Sequence, residues 1–289
     1  MTASLPLSFG RPLWGHIPQL KVEGRAPYTC PSLAMISSTH LMNHRIQRHE
    51  TCDSTNERAL CEMNDGAAQH GDVVVARRQT SGRGRRGNAW WSKSPGGLYL
   101  SMIWRPAREI HAVALTLAGG LAALDCAQDL GLTDGLLKWP NDVLVNGKKL
   151  AGILAETRGL DPSQPSYVIG IGLNVSQTDF PTTLTEERGV TSLAQEGLGA
   201  SLDQAEASLI QALAQRLNQA EIDPQGLGSD FLSASNLRGA EVQVRCADQD
   251  HQGRILAFEI GTEPSLCLET GPGAITRLVA AHINGLLRI

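Results

Sequence analysis

The stretch Gln79-Thr80-Ser81-Gly82-Arg83-Gly84-Arg85-Arg86-Gly87-Asn88-Ala89-Trp90 lies between two strand-like runs, 72–76 and 98–104. It must therefore leave a sheet at one end and return to it. Three glycines and three arginines fall between Gly82 and Gly87, with no acidic residue among them. Glycine lets the backbone turn tightly and approach a ligand. The arginine fork pairs with carboxylate or phosphate oxygens. The composition predicts a loop that is mobile when empty and ordered when it folds over an anion. By itself it is equally compatible with a solvated basic face or a nucleic-acid patch. It matches Gly-x-Gly-x-x-Gly, but Asn88, two tryptophans and Pro95 follow where a dinucleotide fingerprint would open a helix. No Gly-Lys-Ser or Gly-Lys-Thr of a phosphate loop occurs in the chain.

The surrounding chain sets limits on that loop. Its 289 residues suffice for one large domain and a small one, and 42% hydrophobic content supplies a core. The net charge is -4, so positive charge is local, as at a site, rather than a coat for polyanions. Six cysteines are scattered without a Cys-x-x-Cys pair or a zinc spacing, which reads as reduced thiols of a cytoplasmic protein. No apolar run reaches the ~20 residues of a membrane span. Pro6, Pro12 and Pro18 interrupt any secretory signal core.

Residues 1–44 carry five prolines and no helical periodicity, and read as a poorly ordered N-terminal extension. A strand is expected over 45–50. Ser54 and Glu57 have capping-box spacing before a helix over 55–63. A helix over 110–130 is apolar nearly all round and should be buried. Residues 136–139 suit a short strand, and 143–156 a hairpin turning at Asn146-Gly147 in type I′ geometry. The run 167–175 is a strand with Gly170 and Gly172 two apart, which places both on one face and implies that something lies against it. Ser201 and Gln204 predict a capped helix over 202–222, and a shorter helix is expected to include 230–235. Runs at 241–245, 253–259, 265–268 and 277–281, split by Gly and Pro, describe a small β barrel. The fold class is thus α+β, with a large domain over 45–236 and a barrel over 237–289.

Lys138-Trp139-Pro140-Asn141-Asp142 sets a cation, an amide and a carboxylate at a strand end. Lys149-Leu150-Ala151-Gly152-Ile153-Leu154 sets another lysine two residues past the hairpin turn. Singly these are a surface lysine, a core tryptophan and a turn aspartate. Together with Ser54-Thr55-Asn56, Gln79, the Gly82–Gly87 loop, Trp90, Leu98-Tyr99-Leu100-Ser101 and Ile169-Gly170-Ile171-Gly172-Leu173-Asn174, in this order, they resemble the bacterial biotin protein ligases. The resemblance is specific over about 50–180 and weaker beyond.

The resemblance implies a biotin/lipoyl ligase-like catalytic fold with a mixed sheet, followed by an SH3-like barrel. It implies a two-step reaction in the cytoplasm. Biotin and ATP, with Mg²⁺, give biotinyl-5′-AMP; the biotinyl group then passes to one lysine of a biotin carboxyl carrier domain of a carboxylase. It assigns Ser54, Thr55, Asn56 and Gln79 to the ureido ring, and Gly82, Arg83, Gly84, Arg85, Trp90, Lys149 and Gly152 to the rest of biotin. Arg83 would hold the carboxylate, Trp90 the valeryl chain, and Lys149 would bridge carboxylate and phosphate. It assigns Arg85, Arg86, Lys138, Asn141, Asp142, Gly170, Gly172 and Asn174 to ATP. Arg83, Arg85, Lys149 and Asp142 form the catalytic set, with Asp142 a candidate base for the acceptor lysine; Asn141 and Asp142 face the nucleotide or its metal, and no separate metal site is assigned.

Some relatives carry a winged-helix repressor domain, and residues 1–44 show no amphipathic helix pair or basic recognition helix. The expectation is therefore a ligase without specific DNA binding and without membrane association, with monomer and homodimer both open. The segment Gly271-Pro272-Gly273-Ala274-Ile275-Thr276 departs from relatives that place a tryptophan there, which leaves the adenine-stacking residue open. Two alternatives stand beside this reading. One is a lipoate or octanoate ligase of the same fold. The other is a nucleic-acid-binding protein using the arginine loop, which predicts steep salt dependence.

Overall fold

Seven strands make one mixed sheet in the computed structural model, which describes residues 45–157, 164–187 and 189–289. The expectation for residues 1–44 lies outside the described residues. The strands are β1 (Ile46–Cys52), β2 (Val73–Gln79), β3 (Gly97–Trp104), β4 (Gly135–Lys138), β5 (Asp142–Val145), β6 (Lys148–Glu156) and β7 (Tyr167–Asn174). Their order is β1-β2-β3-β7-β6-β5-β4. β1 pairs with β2 in parallel and every other pair is antiparallel.

Alternation of side chains sorts this sheet into two unlike faces. Leu98, Leu100 and Met102 of β3, Ile169, Ile171 and Leu173 of β7, and Ala151 and Ile153 of β6 share one face and are buried. Helices α2 (Ala112–Asp129) and α4 (Leu202–Ile222) pack there, within one continuous apolar cluster. The other face carries Tyr99, Ser101, Gly152, Gly170 and Gly172. Helix α1 (Thr55–Asn64) covers its far end, where Ala59 and Leu60 meet Val74, Ile103 and Val168. The glycine-lined remainder is left for shorter groups to cover.

The α4 capping box forms as expected: Gln204 N–H donates to Ser201 Oγ (3.1 Å) and Ser201 N–H to Gln204 Oε1 (3.0 Å). The α1 box does not. Ser54 stands at the N-cap position with extended backbone but its side chain makes no capping bond. Its partner Glu57 instead lies 3.3 Å from the Arg83 guanidinium, and Ser54 N–H donates to Asp53 Oδ1 (2.8 Å). A cation is a stronger partner for Glu57 than a neutral amide. The hairpin turns at Asn146 (φ 50°) and Gly147 (φ 76°), the left-handed pair of a type I′ turn.

Helix α3 (Thr182–Glu187) was not expected, and α5 (Pro224–Ala234) extends six residues ahead of the stretch from 230 that was expected to lie in a helix. Gly226 and Gly228 hid that first turn, yet Pro224 and the N-cap Asp223, whose Oδ1 accepts from Gly226 N–H (2.9 Å), secure it. The chain ends in a five-stranded antiparallel sheet of β8 (Glu241–Cys246), β9 (Asp250–Glu259), β10 (Ser265–Gly271), β11 (Ala274–Val279) and β12 (Ile283–Arg288), in the order β11-β10-β9-β8-β12. Trp139, Phe231 and Phe258 join it to the large sheet, with ring centroids 5.5–5.9 Å apart. Among the described residues no helix is long and apolar enough to cross a membrane.

Candidate active site

The arginine loop folds back over the glycine-lined face. Its neck is a short ribbon rather than the loose turn its glycines suggest: Trp90 N–H donates to the Gly82 carbonyl (2.9 Å) and Gly84 N–H to the Asn88 carbonyl (2.7 Å). Gly82 has no room for a side chain, since a Cβ there would lie 2.5 Å from Ser92 Oγ and 2.6 Å from the Trp90 carbonyl. At the tip Arg86 takes a left-handed conformation (φ 57°) and donates to Asn284 Oδ1 of β12 (2.9 Å).

Trp90 lies flat against the floor. A Cβ on Gly172 would fall 2.5 Å from its indole, and one on Gly152 2.7 Å from it. The two glycines therefore admit the tryptophan, and Gly170 admits Asn56, whose Oδ1 a Cβ there would strike. Gly170 and Gly172, assigned by resemblance to the nucleotide, thus meet side chains given to biotin. Lys149 Nζ stands 5.1 Å from the centroid of the Trp90 ring and 2.6 Å from Asp142 Oδ1.

A bulge puts the lysine there. Val143 pairs with Ala151 but Leu144 pairs with Lys149, so β6 carries one extra residue at Leu150. Lys149 and Gly152 are three apart and would point to opposite faces of a regular strand. The bulge turns both to the floor, where a Gly152 Cβ would lie 3.1 Å from Lys149 Cε.

The neutral residues form one chain of hydrogen bonds. Thr55 N–H donates to Gln79 Oε1 (2.8 Å), and Ser101 Oγ lies 2.7 Å from Thr55 Oγ1 and donates to Asn56 Oδ1 (2.6 Å). Asn56 Nδ2 donates to Glu156 Oε2 (2.8 Å) and to the Leu154 carbonyl (3.2 Å). Glu156 Oε2 also pairs with Arg83 Nη2 (2.9 Å). Ser54, Thr55, Asn56 and Gln79 are all buried. Ser101 and Glu156 belong to this network, although the motif reading gave neither a role. The strand pattern marks Ser101 as facing the glycines, whereas nothing local marks Glu156. Among the described residues, Trp90 Nε1 is a buried donor with no hydrogen-bond partner, as suits a site whose ligand brings an acceptor.

Across the cleft Arg85 Nη1 donates to Asn141 Oδ1 (3.3 Å), and Asn141 Nδ2 to the Ile153 carbonyl (3.0 Å). Burial and the neighbouring Arg86 charge lower the Arg85 pKa against the support of Asp142, so an added anion would be welcome there. Lys138 is exposed, in register with Asp142. Asn174 is buried and its amide donates to the Thr191 carbonyl (2.9 Å), so it braces the floor beside Lys149 rather than presenting that amide to the cleft. Cysteine spacing gave no zinc site; folding nonetheless places donor atoms of Cys246, Asp248 and His251 within 4.8 Å of one another, at the β8–β9 hairpin outside this cleft.

Residues 49–176, which carry nearly all of this site, match the model of the biotin/lipoate A/B protein ligase family. A biotin--[acetyl-CoA-carboxylase] ligase of Paracoccus denitrificans is 36% identical over 243 residues, covering 80% of this chain and 96% of its own length. The chain belongs to the biotin protein ligase family. A second such ligase, from Mycobacterium tuberculosis, is 37% identical over 75% of this chain and 80% of its own length. The bifunctional ligase/repressor BirA of Bacillus subtilis is 33% identical over 67% of this chain, and the match spans only 64% of its own length. A biotin protein ligase from Aquifex aeolicus, solved in complex with biotin and ATP, superposes with a TM-score of 0.69 over 85% of this chain and 99% of that one, at 24% identity. That likeness establishes the biotin protein ligase fold of the mixed sheet and its helices.

Proposed function

We propose that the chain condenses biotin with ATP to biotinyl-5′-AMP, releasing pyrophosphate, and transfers the biotinyl group to one lysine of a biotin carboxyl carrier domain, with AMP leaving. The observation that carries this is the cleft itself: neutral donors and acceptors at one end, and Lys149 and Arg85 on either side of Asp142 and Asn141 at the other. A ureido ring needs matched neutral partners, and Ser54, Thr55, Asn56 and Gln79 supply them. A carboxylate and an α-phosphate need cations.

Biotin's carboxylate is ionised at neutral pH, so the first step needs no base. It needs two anions brought together. At ~4 Å and an effective dielectric of ~20 one charge pair repels by about 4 kcal/mol, or roughly a thousandfold in rate. Lys149 and Arg85 offset that repulsion where carboxylate and phosphate meet. Arg86 and Lys138 are further cations for the phosphates, and Gly82, Gly84 and the Arg83 backbone let the loop come close. Trp90 packs on the valeryl chain and keeps water from the mixed anhydride. Gly152, Gly170 and Gly172 serve by admitting Trp90 and Asn56. Asp142 orients Lys149 and is assigned the proton of the acceptor lysine.

Mg²⁺ fits this donor set as a partner of the nucleotide. Asp142 and Asn141 offer oxygen donors, and such an ion takes one or two carboxylates plus phosphate oxygens; its chemistry would be charge neutralisation at the phosphates. We divide the chain into a catalytic unit over 45–236 and a β unit over 237–289, whose Asn284 meets the arginine loop. Purified chain, biotin, ATP, Mg²⁺ and a biotin carboxyl carrier domain should yield carrier bearing one added biotinyl group on a lysine, read by mass spectrometry. Unmodified carrier after incubation with folded chain would contradict the proposal.

A further inference from the structure

Glu156 ends β6 and touches two parts of the cleft at once. Its Oε2 accepts from Asn56 Nδ2 (2.8 Å), on the floor, and from Arg83 Nη2 (2.9 Å), on the loop above. We propose that Glu156 is a positioning residue for the activation reaction, which locks the floor and the arginine loop into one arrangement through Asn56 and Arg83. The inference rests on the reading of the cleft as a biotin site.

The floor half of the argument is about polarity. The two ends of an asparagine amide are alike in shape and opposite in hydrogen-bonding sense. A carboxylate only accepts, so Glu156 fixes Nδ2 toward itself and leaves Oδ1 for the Ser101 hydroxyl (2.6 Å). From Ser101 the contacts run to Thr55 Oγ1 (2.7 Å), and Thr55 N–H donates to Gln79 Oε1 (2.8 Å). The amide orientation set at Glu156 thus reaches Gln79, whose Nε2 lies at the loop neck, 3.1 Å from where a Gly82 Cβ would sit.

The loop half is about charge. Arg83 Nη2 lies between Glu156 and Glu57 (3.3 Å), carboxylates from two different elements. Its charge is already compensated, which makes its side chain the loop's anchor and leaves Arg85 and Lys149 as the cations that meet the reacting anions. This refines the assignment of the Arg83 side chain to the biotin carboxylate.

Two readouts test this. In biotin-dependent ATP–pyrophosphate exchange, Glu156→Ala should raise the KM for biotin at least tenfold and leave the KM for ATP within twofold. Glu156→Gln, whose amide oxygen still accepts from Asn56 and Arg83 but carries no charge, should recover the part of the loss that runs through Asn56. Adding Asn56→Ala to Glu156→Ala should raise the KM for biotin by less than the product of the single effects, because both act through one contact. The second readout needs no turnover: trypsin should cut Glu156→Ala after Arg85 or Arg86 at least fivefold faster than the parent chain, with the thermal melt little changed. If the alanine variant fails to fold, Glu156→Asp, which keeps the charge and shortens the reach, carries both tests. An unchanged biotin KM in a parent that exchanges, or an unchanged cleavage rate, would overturn the role of Glu156. A folded parent without biotin-dependent exchange would refute the biotin reading, and the cleavage rates would then decide the hold of Glu156 on the loop.

Discussion

At the scale of single residues two cations dominate the chemistry of the cleft. Lys149 sits on the Trp90 ring beside Asp142, placed there by one extra residue in β6. Lys149→Ala should lower adenylate formation at least a hundredfold in single-turnover assays and leave the urea midpoint nearly unchanged, because a partly exposed lysine pair contributes about 0–1 kcal/mol. Near-normal pyrophosphate release would remove Lys149 from its role. Arg85 meets Asn141 from the exposed turn of the loop. Arg85→Gly should weaken retention of the adenylate more than binding of free biotin, measured as biotinyl-AMP escaping during filtration; unchanged retention would remove Arg85 from the phosphate site. Most residues of the cleft were legible because they sit in motifs whose order is specific. Ser101 and Glu156 were not given roles, since each gains its place through partners about 45 and 100 positions away in sequence. Ser54 and Glu57 show the converse: a correct local spacing was overridden by a distant arginine.

At the scale of elements the sheet was easy to read and the ends of elements were not. Continuous apolar runs marked β2, β3 and β7, and the Asn146-Gly147 turn fixed the hairpin. Strand β12 escaped notice because Asn284-Gly285 interrupts its pattern, and β11 starts three residues earlier than expected, directly after the Pro272-Gly273 turn. The front of α5 was hidden by Gly226 and Gly228, yet Gly228 is there for packing. A Cβ at Gly228 would strike the Phe258 carbonyl oxygen of β9, a backbone atom that cannot swing away. Gly228→Ala should therefore separate α5 from the C-terminal sheet and destabilise the chain by about 1–3 kcal/mol, seen as a lower urea midpoint. An unchanged midpoint would mean that the α5–β9 contact is slack.

At the scale of the whole molecule, a mixed sheet devotes one face to its core and the other to a glycine-floored cleft. The arginine loop covers that cleft and reaches the C-terminal sheet through Arg86 and Asn284, while the Trp139 indole Nε1–H donates to the Ile283 carbonyl (3.2 Å). A second, smaller sheet after the large one was legible in the sequence; the apolar cluster the two sheets share was not, because its members lie about 140 residues apart. The claim that unites these features is that the cleft joins biotin's carboxylate to the α-phosphate of ATP. Isotope exchange between pyrophosphate and ATP, with purified chain, Mg²⁺ and biotin, against lipoate and no acid as controls, tests it most directly. Exchange is expected to require biotin and to be absent with lipoate. Exchange with lipoate alone would keep the fold and change the substrate, and no exchange with either acid from folded chain would mean that the cleft does not join a carboxylate to the α-phosphate.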